Sequence, residues 1–195
     1  MVGNIANFND CDILRTFLLI GEPVSRKELA DELELGEGTI RSILDILKND
    51  KLIFSTRQGH SLTKKGNASL KTAKRFIEIN RKIELDLYKN LRKAAVLVKG
   101  LDLDDIKINA SLRDIAIKNN AESALIFIYN EGLVLPNAEE YTFSFESLNN
   151  AFNFKNNDIL IVTFADSFRT AENSALAVAL SLTPKLNKMF INNMS

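Results

Sequence analysis

Cysteine and histidine, on which much enzyme and metal chemistry depends, occur once each in these 195 residues, as Cys11 and His60. One cysteine excludes an internal disulfide, and one histidine argues against a histidine-based metal site or a Cys/His catalytic pair. No apolar run approaches the roughly 20 residues that cross a bilayer; runs such as "ALIFIY" and "ILIVTF" stop well short. The opening "MVGNIANFNDCD" has neither a basic start nor an apolar signal core, so the expectation is a cytoplasmic protein that does not engage a membrane. Also missing are G-x-G-x-x-G, G-x-x-x-x-G-K-[ST], H-E-x-x-H and G-x-S-x-G. The sequence therefore predicts no cofactor, no metal and no enzyme. Neither sign of charge is in excess, with 25 basic and 25 acidic residues.

What the chain does have is an uneven placing of that charge. Residues 1 to 37 hold three bases against eight acids, a net −5, whereas residues 38 to 75 hold nine against two, a net +7. A neutral protein that gathers its positive charge into so short a segment offers a local surface to a polyanion.

The first eighty residues carry clear element signals. Ile13, Leu14, Phe17 and Leu18 have amphipathic helical spacing, with Asn9 or Asp10 to cap it. Ser25 and Glu28 form an S-x-x-E capping box before a short helix with Leu29 and Leu33 on its core face. Ile40, Ile43, Leu44 and Leu47 then set one buried stripe on a third helix, whose other face carries Thr39, Arg41, Ser42, Asp45 and Lys48. "KLIFST", "RQGH" and "SLT" read as a β-hairpin turning near Gly59, and "KKGNASLKTAKRF" returns to helical spacing. Three helices and a hairpin are the order of a winged helix-turn-helix domain.

The passage "SRKELADELELGEGTIRSILDILKNDKLI", with "SLTKKG" after it, resembles the winged-helix domains of prokaryotic transcription regulators. That resemblance implies a third helix lying in the DNA major groove and a wing set against the backbone or minor groove. Short polar and basic side chains are what such a helix needs, because they must reach base edges without holding the backbone off. Thr39, Arg41, Ser42 and Asp45 are the base-reading candidates, with Lys48 beside them. Arg57 and His60, flanking Gly59, and Lys64 and Lys65 after the hairpin are the candidates for phosphate or minor-groove contacts. The bland alternatives are a solvated helix face, an exposed wing tip for His60 and a small packing residue for Cys11.

From Lys71 to about Leu91, the spacing of Phe76, Ile79, Ile83, Leu87 and Leu91 predicts one long amphipathic helix, able to pack on its own domains or pair with its copy. Beyond it, "AAVLV", "ALIFIY", "LVLP" and "DILIVTF" read as strands, with helices near residues 109 to 119, 143 to 151 and over "ENSALAVALSL". The fold class is thus α+β. Residues 1–75 form the winged helix-turn-helix domain, 76–92 the connecting helix, and 93–195 an α/β domain of ferredoxin-like βαββαβ order plus a C-terminal helix; a small Rossmann-like sheet is the alternative. "AAVLVKG", "RDIAIKNNAESALIFIYNEGLVLP" and the final strand and helix resemble archaeal winged-helix proteins, described as transcription regulators, whose C-terminal domain is of unknown function. Biotin protein ligases and CTP-dependent riboflavin kinases also join a winged helix to a second domain, but their glycine-rich motifs are missing.

The combined expectation is a transcription regulator that binds double-stranded DNA as a homodimer, its second domain serving dimerisation, small-ligand sensing or both. A winged-helix protein-interaction or assembly factor is the alternative. In "ADSFRT", Asp166, Ser167 or Thr170 reads first as a simple helix cap; the alternative is that Ser167, Arg169 and Thr170 hold an anionic effector at the helix N-terminus, against which Asp166 counts. The apolar helix that follows is a candidate subunit interface.

Overall fold

The computed structural model describes residues 7–102, 110–136 and 145–190. The chain divides into two compact units, Met1–Ala73 with Lys185–Ser195, and Lys74–Pro184.

In the first unit, α1 (Asp10–Leu19) begins with a reciprocal cap in which Asn9 and Asp12 satisfy each other's backbone N–H. The box at Ser25 and Glu28 starts α2 (Arg26–Leu33) in the same way. In α3 (Glu37–Asn49), Ile40, Ile43, Leu44 and Leu47 are buried, as their spacing requires. The three helices pack on one another around Leu14, Phe17, Leu29 and Leu33, all without exposed surface. Strands β1 (Ile53–Thr56) and β2 (Gly59–Leu62) form an antiparallel hairpin whose two-residue tip is Arg57 and Gln58. Val24, just before α2, makes an antiparallel bridge to His60, with both backbone hydrogen bonds present at 2.8 and 3.1 Å. Gly59 has φ +127°, and a Cβ there would lie 2.5 Å from the Val24 carbonyl oxygen, so the bridge requires glycine at this position. Helix α4 (Lys64–Phe76) follows, and α7 (Pro184–Phe190) belongs with this unit from Lys185 onward.

The second unit is built on a five-stranded sheet in the order β3-β4-β7-β5-β6, every pair antiparallel. Its strands are β3 (Ile77–Asn80), β4 (Arg92–Val98), β5 (Ser123–Tyr129), β6 (Leu133–Val134) and β7 (Ile159–Ala165). Helices α5 (Ala110–Lys118) and α6 (Phe168–Leu182) pack against the sheet and each other. The antiparallel pairing rules out the Rossmann-like alternative. Strands β4 and β5 are both antiparallel to β7, so β4-α5-β5 is a split βαβ unit with β7 between its strands. The inner place falls to β7, all seven of whose residues are apolar or small enough to be buried on both faces.

The connecting helix expected over 76–92 does not form. Helix α4 ends at Phe76 and β3 begins at the next residue, with Ile77 and Ile79 opposite Val98 and Val96. Ile77 and Ile79 satisfy a two-residue alternation as well as a helical one, and a β-branched pair beside an open sheet edge settles it for strand. Ile83, Leu87 and Leu91 pack instead against the sheet face formed by Ala95, Leu97, Phe127, Leu160, Val162 and Phe164. The helix expected near 143–151 is a 3-10 helix over Glu146–Asn150; residues 143 and 144 lie outside the described residues.

Helix α6 also corrects an expectation. Ala175, Leu176, Val178 and Ala179 have no exposed surface, because β4, β7 and α5 within the same unit surround the helix. It has little apolar surface left to serve as a subunit interface.

Candidate nucleic-acid interface

Burying one stripe of α3 forces the opposite face outward. Arg41, Ser42 and Asp45 are exposed there, and Thr39 and Lys48 are half-buried. Because Val24 ties the hairpin to the start of α2, the three elements enclose an open groove of about 590 Å³. Helix α2 supplies Arg26 and Lys27, α3 supplies Glu37, Arg41, Asp45 and Lys48, and β2 supplies His60. The two acids are paired, Arg26 with Glu37 at 2.9 Å and Lys48 with Asp45 at 3.4 Å. Among the described residues neither Lys27 nor Arg41 enters an ion pair. The groove therefore keeps a positive balance after its internal pairing.

Arg41, Asp45, Lys48 and His60, each marked out by the sequence, thus come together. Thr39, Ser42, Arg57, Lys64 and Lys65 are not in the groove lining. The Ser42 hydroxyl donates to the Gly38 carbonyl at 3.3 Å, one turn back along α3. Arg57 is exposed at the hairpin tip, and Lys64 and Lys65 begin α4. The Lys65 ammonium donates to the Asp50 carbonyl at 2.8 Å, a charge-assisted cap on the C-terminal end of α3. His60 is not at the tip as expected. It lies within β2, half-buried, opposite Ser55, with Nδ1 3.1 Å from the serine Oγ. Burial lowers the pKa of its ring below the usual histidine value, and the nearby Lys48 and Arg26 lower it further.

Arg26, Lys27 and Glu37 were not singled out by sequence. One signal was available: bases in the first turn of a helix face the positive end of its dipole, an unfavourable place unless something else holds them. The Cys11 thiol is pushed up to about 12 by burial and by Asp12 and Asp10, so it stays protonated near neutrality.

At the second candidate, the cap reading describes what is seen. The Ser167 hydroxyl accepts from the Thr170 N–H at 3.0 Å and lies 2.9 Å from the Thr170 hydroxyl. Arg169 is half-buried beside them. One turn on, the buried Glu172 carboxylate already engages Arg81 through both oxygens, while Arg81 and Arg92 lie over the Phe168 ring at 6.0 and 5.1 Å from its centroid. Ser167→Ala should accordingly cost the second unit about 1 kcal/mol, as lost N-caps do, read as a lowered urea midpoint.

Residues 11–68 match the family model of the PH0730-like, N-terminal domain, and residues 90–182 match that of a domain of unknown function, DUF4443. The two matches fall one in each unit. Among solved structures, the hypothetical protein PH0730 from Pyrococcus horikoshii OT3 is 26% identical, with a TM-score of 0.77 over 95% of this chain and 99% of that one. No curated protein matches. The chain is therefore similar in both halves to an uncharacterised archaeal protein, and shares its α+β fold. No helix among the described residues is long and apolar enough to cross a membrane.

Proposed function

We propose that the first unit binds duplex DNA through the groove between α2, α3 and β2, and that the protein is a transcription regulator. The observation that carries this reading is the groove's chemistry: Arg26, Lys27, Arg41, Lys48 and His60 converge there, and its two acids are already paired. Arg41 has the length and fork geometry to take guanine O6 and N7, and Asp45 can accept from cytosine N4. Arg57 at the hairpin tip is suited to a phosphate or a narrow minor groove. A homodimer would present two such grooves to a two-fold operator, and the second unit would supply dimerisation or the sensing of a small, anionic effector.

Binding to random and selected duplexes at graded salt tests this. With about four to six phosphate contacts per subunit, affinity should fall roughly a hundredfold to a thousandfold between 50 and 200 mM salt. Arg41→Ala should cost about 1–3 kcal/mol on a preferred sequence and relax the preference, whereas Arg57→Ala should weaken all duplexes alike and flatten the salt slope by about one. Absence of binding at low salt would overturn the proposal.

One observation favours the alternative of a protein-interaction module. A second open groove, between α1 and α2, has an apolar lining of Leu19, Val24 and Leu29 beneath Glu28, Asp31 and Glu32, a surface that repels DNA and suits a basic protein segment. Loss of duplex binding with retained capture of such a segment would select that reading.

A further inference from the structure

We infer that His60 couples binding at this groove to proton uptake: the neutral ring of the free protein becomes an imidazolium as it meets a DNA backbone phosphate. The inference rests on the DNA-binding reading and concerns the same groove.

Geometry carries it first. The backbone of His60 is held on one side by Ser55, its partner across the hairpin, and on the other by the Val24 bridge, so the ring has a fixed station in the groove wall. Its Nδ1 partner is a hydroxyl, which donates to a neutral ring nitrogen and accepts from a protonated one. Protonation therefore need not break the hydrogen bond that orients the ring. The proton can come without the side chain moving.

The surroundings supply the drive. From α2 the ring shares the groove with Arg26 and Lys27, and from α3 with Glu37, Arg41, Asp45 and Lys48. Burial first, then the charges of Lys48 and Arg26, lower the ring's pKa below the usual histidine value and so favour its neutral form, with Asp45 opposing them. A phosphate laid in the groove reverses this balance, because it neutralises the cations and offers the imidazolium a counter-charge. Arginine, lysine and carboxylate side chains ordinarily titrate well outside pH 6–8, and His60 is the chain's single histidine. The α-amino group also titrates near the top of that range, at about pH 8, but it is common to the native chain and to a His60→Gln variant, so proton uptake that the variant loses is assignable to one residue.

The sign follows from linkage. The free ring titrates at a lower pH than the bound ring, so the complex holds more protons between the two values. Affinity should be flat above the bound ring's range, rise as pH falls through the interval, and level off below the free ring's range.

The test measures full-chain affinity for one short duplex from pH 8 to pH 6 at constant ionic strength, for the native chain and for His60→Gln. The glutamine keeps a polar group beside Ser55 but cannot titrate. The expected result is tightening by several-fold, up to about tenfold per site for a one-unit rise in the ring's pKa, with the variant flat. Calorimetry in two buffers of different ionisation enthalpy should show a fraction of a proton taken up per site by the native chain and none by the variant. Salt-dependent binding that is flat in pH, or a variant that titrates like the native chain, would overturn the inference and leave the DNA reading intact. No binding at any pH at low salt would overturn both.

Discussion

Replacing Arg15 by alanine should destabilise the first unit by about 3–5 kcal/mol, enough to unfold much of it at ordinary temperature. Arg15 and Asp12 form an ion pair at 3.2 Å with side-chain exposures of 1% and 0%. A charge so placed is tolerable only while its partner and hydrogen bonds remain. Removing the guanidinium leaves the Asp12 carboxylate buried against the acid-rich start of α1, and also deletes the bond from Arg15 to the Leu33 carbonyl at 3.3 Å, which ties α1 to the end of α2. Because α2 carries Arg26 and Lys27 into the groove, the same change should impair duplex binding in whatever fraction stays folded. Urea unfolding followed by circular dichroism measures the loss. The double change Asp12→Ala with Arg15→Met should cost less than Arg15→Ala alone, since it removes both charges and refills the space. A loss below about 1 kcal/mol for Arg15→Ala would show that water reaches the pair.

Gly66→Ala should be nearly as damaging, at about 3 kcal/mol, although it places a good helix former inside α4. Helix propensity favours alanine over glycine by about 1 kcal/mol. Against that gain, the new Cβ would sit 2.0 Å from the Leu52 carbonyl oxygen and 3.1 Å from the Leu62 Cδ2. The carbonyl cannot retreat freely, because it accepts from the Thr63 N–H at 2.9 Å and from the Thr63 hydroxyl at 3.2 Å. Overlap of this kind costs roughly 1–3 kcal/mol or more and outweighs the propensity gain. Gly38→Ala in α3 is the control: nothing lies within 4 Å of its Cβ, so propensity alone acts and the urea midpoint should hold or rise. Equal midpoints for the two variants would refute the packing argument.

The parts of this fold that sequence revealed are those whose cause is local. The capping boxes at Asn9 and Ser25 start their helices through side chains three residues apart, and the Ile40 to Leu47 stripe needs only a core to face. Residues 76 to 91 failed because Phe76, Ile79, Ile83, Leu87 and Leu91 fit a helix while Ile77 and Ile79 also fit a strand. The choice was made by β4, which lies fifteen or more residues along the chain. The inner place of β7 and the burial of α6 by α5 likewise depend on distant partners. At the candidate site, α3's outward residues were legible from its buried stripe. The contribution of Arg26, Lys27 and Glu37 was not, because it depends on where the hairpin lands.

That landing has a kinetic consequence. The Val24 and His60 N–H groups each donate to the other residue's carbonyl, so neither amide can meet water unless the bridge opens. Their hydrogen–deuterium exchange should report one shared opening event, although the residues are far apart in sequence and one of them belongs to the approach to α2. Val24 is thus a reporter, placed outside the hairpin, of the hairpin's own fluctuations, and a ligand seated in the groove should slow both amides by the same factor.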